Sequence, residues 1–241
     1  MQYFEERDGK LIFRYNGETV QVEAWGQDSL RVRSRVLGEI SEECSALTEE
    51  VAVHDAVISI QGEDSAEITN GRIKAVLYRQ GWGNALQITF YNEKGEVLLR
   101  EIPNGGALCL KARYFRSLAG GSFYLKASFQ SNDKEKLYGM GQYQQERMNL
   151  KGCNLELAHR NSQASVPFYV SSLGYGFLWN NPSVGEVHFG TNTTEWEAWS
   201  TDQLDYWITA GERPGDIEKN YTEVTGKSPM MPEYGLGFWQ C

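Results

Sequence analysis

The sequence predicts an all-β protein of antiparallel strands, on three observations. Apolar and polar residues alternate with period two in run after run. Dipeptides that accept positive φ punctuate those runs at hairpin spacing. One segment alone carries a convincing helical pattern. Strands at this spacing imply a sandwich or a barrel, and 241 residues make either one large all-β domain or two small ones.

The first 130 residues carry the alternation most clearly. "TVQVEAW" places Val20, Val22 and Ala24 on one face, and "FYLKASF" does the same with Phe123, Leu125, Ala127 and Phe129. Asp8-Gly9, Asn16-Gly17 and Asn70-Gly71 are expected to close two-residue hairpins, with Lys94-Gly95 a looser connection. Arg31, Arg33 and Arg35 alternate with Val32 and Val36, which predicts the wet face of a strand.

Farther on, "GMG" (Gly139 to Gly141) lacks a following helix and is expected to be a turn. From Tyr138 to Trp179 a long polar excursion rich in amide side chains returns to two apolar strands, the pattern of a functional loop. Its tip, His159 to Gln163, offers donors and acceptors suited to hydroxyl groups, and a plain surface loop has the same composition. In "TEWEAWSTDQLDYW" the alternation sends Glu195, Glu197, Asp202 and Asp205 to the wet face. Trp196, Trp199, Tyr206 and Trp207 are expected to pack rather than to form a sugar-stacking platform.

The helix begins at Pro214. "PGDIEKNYTEVTG" has proline in its first turn, Asp216 and Glu218 near its positive end, Ile217, Tyr221 and Val224 on one face, and Gly226 as its stop. Pro229 and Pro232 then bracket a stiff connector, after which Gly235 to Cys241 read as a buried strand.

Composition narrows the function. Net charge is −9, from 23 basic and 32 acidic residues, so no nucleic-acid partner is expected. No apolar run approaches the roughly eighteen residues of a bilayer span, and no membrane partner is expected either. The start, "MQYFEERDGKLIFRY", lacks the basic patch and apolar run of a secretory signal. Cys44, Cys109, Cys153 and Cys241 form no CxxC pair, which fits a reducing cytoplasm without zinc or disulfides. The sequons at Asn192 and Asn220 then have no consequence. His54, His159 and His188 are scattered and suggest no site, and no cofactor or metal is implied.

Five collinear signatures, "LYGMGQ", "VPFYVSSLGYGFLWNNP", "LDYWITAG", "YTEVTGKSPMMP" and "YGLGFWQC", resemble the amino-terminal part of glycoside hydrolase family 31, the α-glucosidase and α-xylosidase family. The resemblance covers Leu137 to the end, and earlier strands agree in pattern only. It implies a galactose-mutarotase-like β-sandwich over residues 1–227, a linker over 228–232, and over 233–241 the start of a truncated (β/α)8 catalytic barrel. In the family, the nucleophile and acid/base aspartates of retaining hydrolysis lie on later barrel strands, beyond Cys241, so no catalytic residue is expected here.

The resemblance implies that "LELAHRNSQASVPF" reaches the barrel mouth near the leaving group, with Arg160, Asn161, Gln163 and Trp239 as substrate-binding residues. Many α-glucosidases carry an aspartate at this loop tip, where Arg160 and Asn161 stand here, and the run looks closer to the α-xylosidase branch. The implied partners are an α-linked oligosaccharide, the chain's own barrel, and a second copy through an exposed carboxy-terminal strand. The alternatives are an α-glucosidase, a free-standing carbohydrate-binding module stacking sugars on residues 195–207, and a mutarotase, which needs a histidine and glutamate pair in a groove.

Overall fold

A computed structural model of the chain describes residues 3–48, 51, 56–80, 85–103 and 110–238. In chain order the strands are β1 (Phe4–Arg7), β2 (Lys10–Tyr15), β3 (Glu18–Ala24), β4 (Ser29–Val36), β5 (Val57–Gln61), β6 (Ser65–Asn70), β7 (Ile73–Gln80), β8 (Ala85–Asn92) and β9 (Val97–Arg100). They continue with β10 (Arg113–Ser117), β11 (Phe123–Gln130), β12 (Leu137–Gln142), β13 (Asn154–Leu157), β14 (Ala164–Ser171), β15 (Tyr175–Trp179), β16 (Gly185–Phe189), β17 (Thr193–Thr201) and β18 (Leu204–Ala210). The helix α1 spans Pro214–Thr225.

Three open antiparallel sheets result, so of the two expected architectures the sandwich is the one formed. The large sheet runs β1-β2-β3-β4-β18-β15-β14-β12, facing β5-β6-β7-β8-β9 over one half and β10-β11-β17-β16-β13 over the other. The two small sheets are joined by a bridge between Glu101 and Phe129. One hydrophobic core runs through all three sheets. On the side toward β17 it is an aromatic column, with Trp179 stacked on Trp196 at 5.5 Å and Phe177 on Tyr206 at 5.1 Å. Trp196, Tyr206 and Trp207 are fully buried while Trp199 is exposed, so the packing expected of these aromatics holds for three of the four.

Local chemistry explains most turns. Asp8-Gly9 and Asn16-Gly17 both have positive φ and close β1–β2 and β2–β3 as expected. The third hairpin shifts by one residue: Asn70 pairs with Ile73, so Gly71 and Arg72 make the turn and only Gly71 has positive φ. Asn70 is held in the strand because its side-chain amide donates to the carbonyls of Gly26 and Ser29. Gly139 to Gly141 is likewise no turn. It is a bulge inside β12, with positive φ at Gly139, Met140 and Gly141, and the register against β14 shifts there. Met140 is carried into the core by that distortion.

The helix forms where expected, with Gly226 at its end in positive φ. It lies on the outer face of the large sheet, where Ile217 and Val224 join Phe168, Leu178 and Trp207, and Tyr221 stacks on Phe168 at 3.9 Å. Gly176 is required beneath it, since a Cβ there would sit 2.5 Å from Ile217 Cγ2.

The arginine stripe is a correction. Arg31 and Arg33 are completely buried, because the outer face of β4 is covered by the segment of residues 39–47 instead of water. Asp205, expected on a wet face, is buried for the same reason, across from Arg33 in the register and accepting from Arg31 at 2.6 and 3.1 Å. Arg33 pairs with buried Glu23 and with Glu42. A third buried pair, Arg113 with Glu101, lies between the small sheets.

The strand expected from Gly235 onward is not formed over the described residues. Glu233–Leu236 make a single 3-10 turn, and Leu236 and Phe238 are 72% and 91% exposed. An extended segment persists by pairing with a neighbour, and no described strand pairs with this one. Trp239, Cys241, Cys109 and His54 lie outside the described residues.

Candidate functional site: the 158–163 turn and its cleft

The polar excursion folds into β13 and β14 with a tight turn between them. Gln163 N donates to Arg160 O at 3.0 Å, leaving Asn161 and Ser162 at the tip, and Ser162 adopts φ of 67°. Tyr143 pins the base of the turn, its hydroxyl donating to Glu156 O at 2.8 Å and lying 2.7 Å from Ser165 Oγ. Arg160 Nε donates to Glu156 Oε2 at 3.0 Å while Nη2 contacts Oε1, a two-point pairing. Those hydrogen bonds hold the Glu156 carboxyl below its ordinary range and push the Arg160 guanidinium higher still. His159 points its Nδ1 back at the Ser165 amide, 3.3 Å away.

Beside this turn opens a cleft of about 570 Å³, within the range of small-molecule sites. His159 and Arg160 form one lip, Ser45 and Ala46 the other, and Trp179, Asn180 and Asn181 line the cleft between them. Trp179 keeps its buried Nε1–H without a hydrogen-bond partner. Asn180 is committed to the scaffold, donating to Asp205 Oδ2 at 2.8 Å and accepting from the Ala46 amide at 2.9 Å.

Of the expected binding residues, Arg160 lines the cleft, Asn161 and Gln163 sit on the turn beyond it, and Trp239 falls outside the described residues. His159, part of the loop tip expected to offer donors and acceptors, lines the cleft, and so do Trp179 and Asn181, which were not expected there. Nothing local in the sequence marks Trp179 or Asn181 as cleft residues, and the Asn181 amide is itself engaged, donating to Thr201 Oγ1 and Gln203 O and accepting from Ser183 N. Among the described residues, a histidine–glutamate pair of the kind a mutarotase needs occurs at His188 and Glu186, 3.3 Å apart, and neither lines this cleft. No group of three or more potential metal ligands occurs among the described residues.

The family model described as the glycosyl hydrolase 31 N-terminal galactose mutarotase-like domain matches residues 19–187. An uncharacterised family 31 glucosidase of Pseudescherichia vulneris is 40% identical over 98% of this chain and 46% of its own length. α-Xylosidase A of Aspergillus niger is 29% identical over 99% of this chain and 34% of its own length. The crystal structure of a family 31 α-xylosidase from a soil metagenome, complexed with xylose, aligns with a TM-score of 0.91 at 45% identity, over 99% of this chain and 36% of that one. The chain therefore spans less than half the length of each of these relatives.

Proposed function

Because this chain belongs to glycoside hydrolase family 31, as its amino-terminal galactose-mutarotase-like domain, we propose that it serves a retaining α-glycosidase by shaping the sugar pocket of a barrel on a longer chain. The substrate is an α-linked oligosaccharide with a terminal xylose, and both catalytic carboxylates belong to the barrel. The observation that carries this reading is the rigid turn that holds Arg160 at the lip of the cleft. The guanidinium and the neighbouring side chains of His159, Asn161 and Gln163 donate to sugar hydroxyls near the leaving group, and Trp239 supplies an apolar face. The xylose preference is supported by the xylosidase relatives, and α-glucosidase is the second reading because a relative at 40% identity is named a glucosidase.

The test is kinetic. A protein extended through the barrel hydrolyses aryl α-xylosides with higher kcat/KM than aryl α-glucosides, while these 241 residues alone hydrolyse neither. In the extended protein Arg160→Ala raises KM for oligosaccharides several-fold and leaves aryl substrates nearly unaffected. Turnover by the 241-residue chain would sink the reading.

Two finer points belong to the same proposal. Met230, Met231, Tyr234, Leu236 and Phe238 form an exposed apolar row that pairs with the barrel in the longer chain and with a second copy in this one. Sedimentation that is independent of concentration would refute the second half. The unpaired thiols of Cys44 and Cys153 favour a cytoplasmic protein, checked by cell fractionation.

A further inference from the structure

The cleft beside Arg160 does not end at Asn181. A second cleft of about 530 Å³ continues from it, and Ser45, Asn180, Asn181, Pro182 and Ser183 line both. The second cleft is bordered by Ser122, Ser200, Thr201 and Gln203, with Arg35, Glu43 and Asp202 also contributing. Hydroxyls and amides dominate, the groups that exchange hydrogen bonds with neutral polyols. Two exposed carboxylates against one guanidinium, on a chain of net charge −9, disfavour phosphate or nucleotide.

One wall of this groove is prepared in an unusual way. Residues 39–47 have no regular secondary structure, yet three buried or half-buried side chains grip their backbone. Arg33 Nη1 donates to Ser41 O at 2.7 Å, Arg31 Nη2 to Glu43 O at 2.9 Å, and Gln203 Oε1 accepts from Ser41 N at 2.9 Å. Burying two guanidiniums is costly, and their carboxylate partners only offset that cost. Their effect is a wall already fixed before any ligand arrives, which spares a ligand the cost of ordering it.

We propose that the two clefts form one groove that binds a neutral α-linked oligosaccharide over several units, with Ser45 and Asn181 at its waist and Trp179 beneath the end nearest Arg160. Arg31 and Arg33 act as positioning residues for the wall. The proposal rests on the reading above only for the class of sugar, and it makes chain length a determinant of recognition.

The experiment uses this chain with α-linked gluco-oligosaccharides, from disaccharide to hexasaccharide, and their α-xylosylated counterparts. Amide chemical shifts in nitrogen–proton spectra report both site and affinity. The expected result is perturbation at Ser45, Asn181, Ser183, Ser200 and Thr201, with Kd falling at least roughly tenfold from the shortest to the longest ligand. Ser45→Trp fills the waist and Ser200→Trp the far end. Both positions are exposed, so the variants keep the wild-type spectrum elsewhere. Ser200→Trp removes the gain with length and leaves disaccharide binding within twofold, whereas Ser45→Trp, which lines both clefts, weakens binding of every ligand. Perturbations elsewhere, no dependence on length, no binding, or variants that bind long ligands normally would each overturn the proposal. An extended protein that hydrolyses α-xylosides yet shows no length effect would fail this inference alone, whereas an extended protein without hydrolytic activity would fail the function proposed above.

Discussion

Arg31 and Asp205 stand 174 residues apart in sequence, and Nη2 of one meets Oδ2 of the other at 2.6 Å with both side chains out of water. The pair ties β4 to β18 in the middle of the large sheet, and Asn180 completes the carboxylate's hydrogen bonding. Removing one partner strands the other. Asp205→Ala should cost about 3–5 kcal/mol in chemical denaturation, whereas Arg31→Met with Asp205→Leu should recover most of that loss. A single mutant of wild-type stability would show that the pair contributes nothing to the scaffold.

The Glu156–Arg160 pair is the opposite case. Its side chains are 32% and 61% exposed, and exposed pairs contribute little to stability. Glu156→Ala should leave Tm unchanged within calorimetric error but release the Arg160 side chain, seen as faster motion of its Nε–H in relaxation measurements. A marked fall in Tm would mean that the turn is part of the folding unit.

Two glycines separate backbone strain from crowding. At Gly152 φ is 84° and an added Cβ meets nothing within 4 Å, so Gly152→Ala should cost only the left-handed penalty of about 1 kcal/mol. At Gly185 a Cβ would overlap the carbonyl of Glu197 on the neighbouring strand, and Gly185→Ala should cost more, up to about 3 kcal/mol, as β16 and β17 are pushed apart. Equal melting temperatures for the two variants would contradict this.

Acid should weaken the fold through Glu42. Partial burial pushes its carboxyl up, but hydrogen bonds from Lys10 and Arg33 outweigh that and hold it below the ordinary value of 4.5. A depressed native pKa means that the stabilisation is fully present above the unfolded value and is lost as pH falls through the folded one. Urea midpoints measured downward from pH 4.5 should therefore fall less steeply in Glu42→Gln than in the wild type. The effect is modest, since the Glu42 side chain is 64% exposed. Identical slopes would exclude Glu42 from the acid response.

The strands and α1 were legible because each is announced locally: alternation in "FYLKASF", Asp8-Gly9 at a hairpin, Pro214 and Gly226 at the ends of a helix. The buried arginines were not. Period two says which residues share a face and nothing about whether that face is covered; the cover for β4 is the irregular segment 39–47, and the carboxylate that meets Arg31 is Asp205, 174 residues away. Gly139 to Gly141 misled for a related reason: successive glycines signal positive φ, and a bulge needs it as much as a turn does. The turn that carries Arg160 was visible as a polar excursion. Its cleft was not, because the opposite lip, Ser45 and Ala46, lies more than a hundred residues earlier in a segment with no pattern of its own.

The stacked indoles of Trp179 and Trp196 also make the domain its own optical gauge. Two stacked rings 5.5 Å apart and inclined by 21° in a buried setting couple their electronic transitions, while Trp199 is exposed at the rim. Near-ultraviolet dichroism then follows the meeting of the two sheets, and long-wavelength fluorescence follows the rim. A single unlabelled sample thereby distinguishes a molecule that has lost its interior from one that has only loosened at its edge.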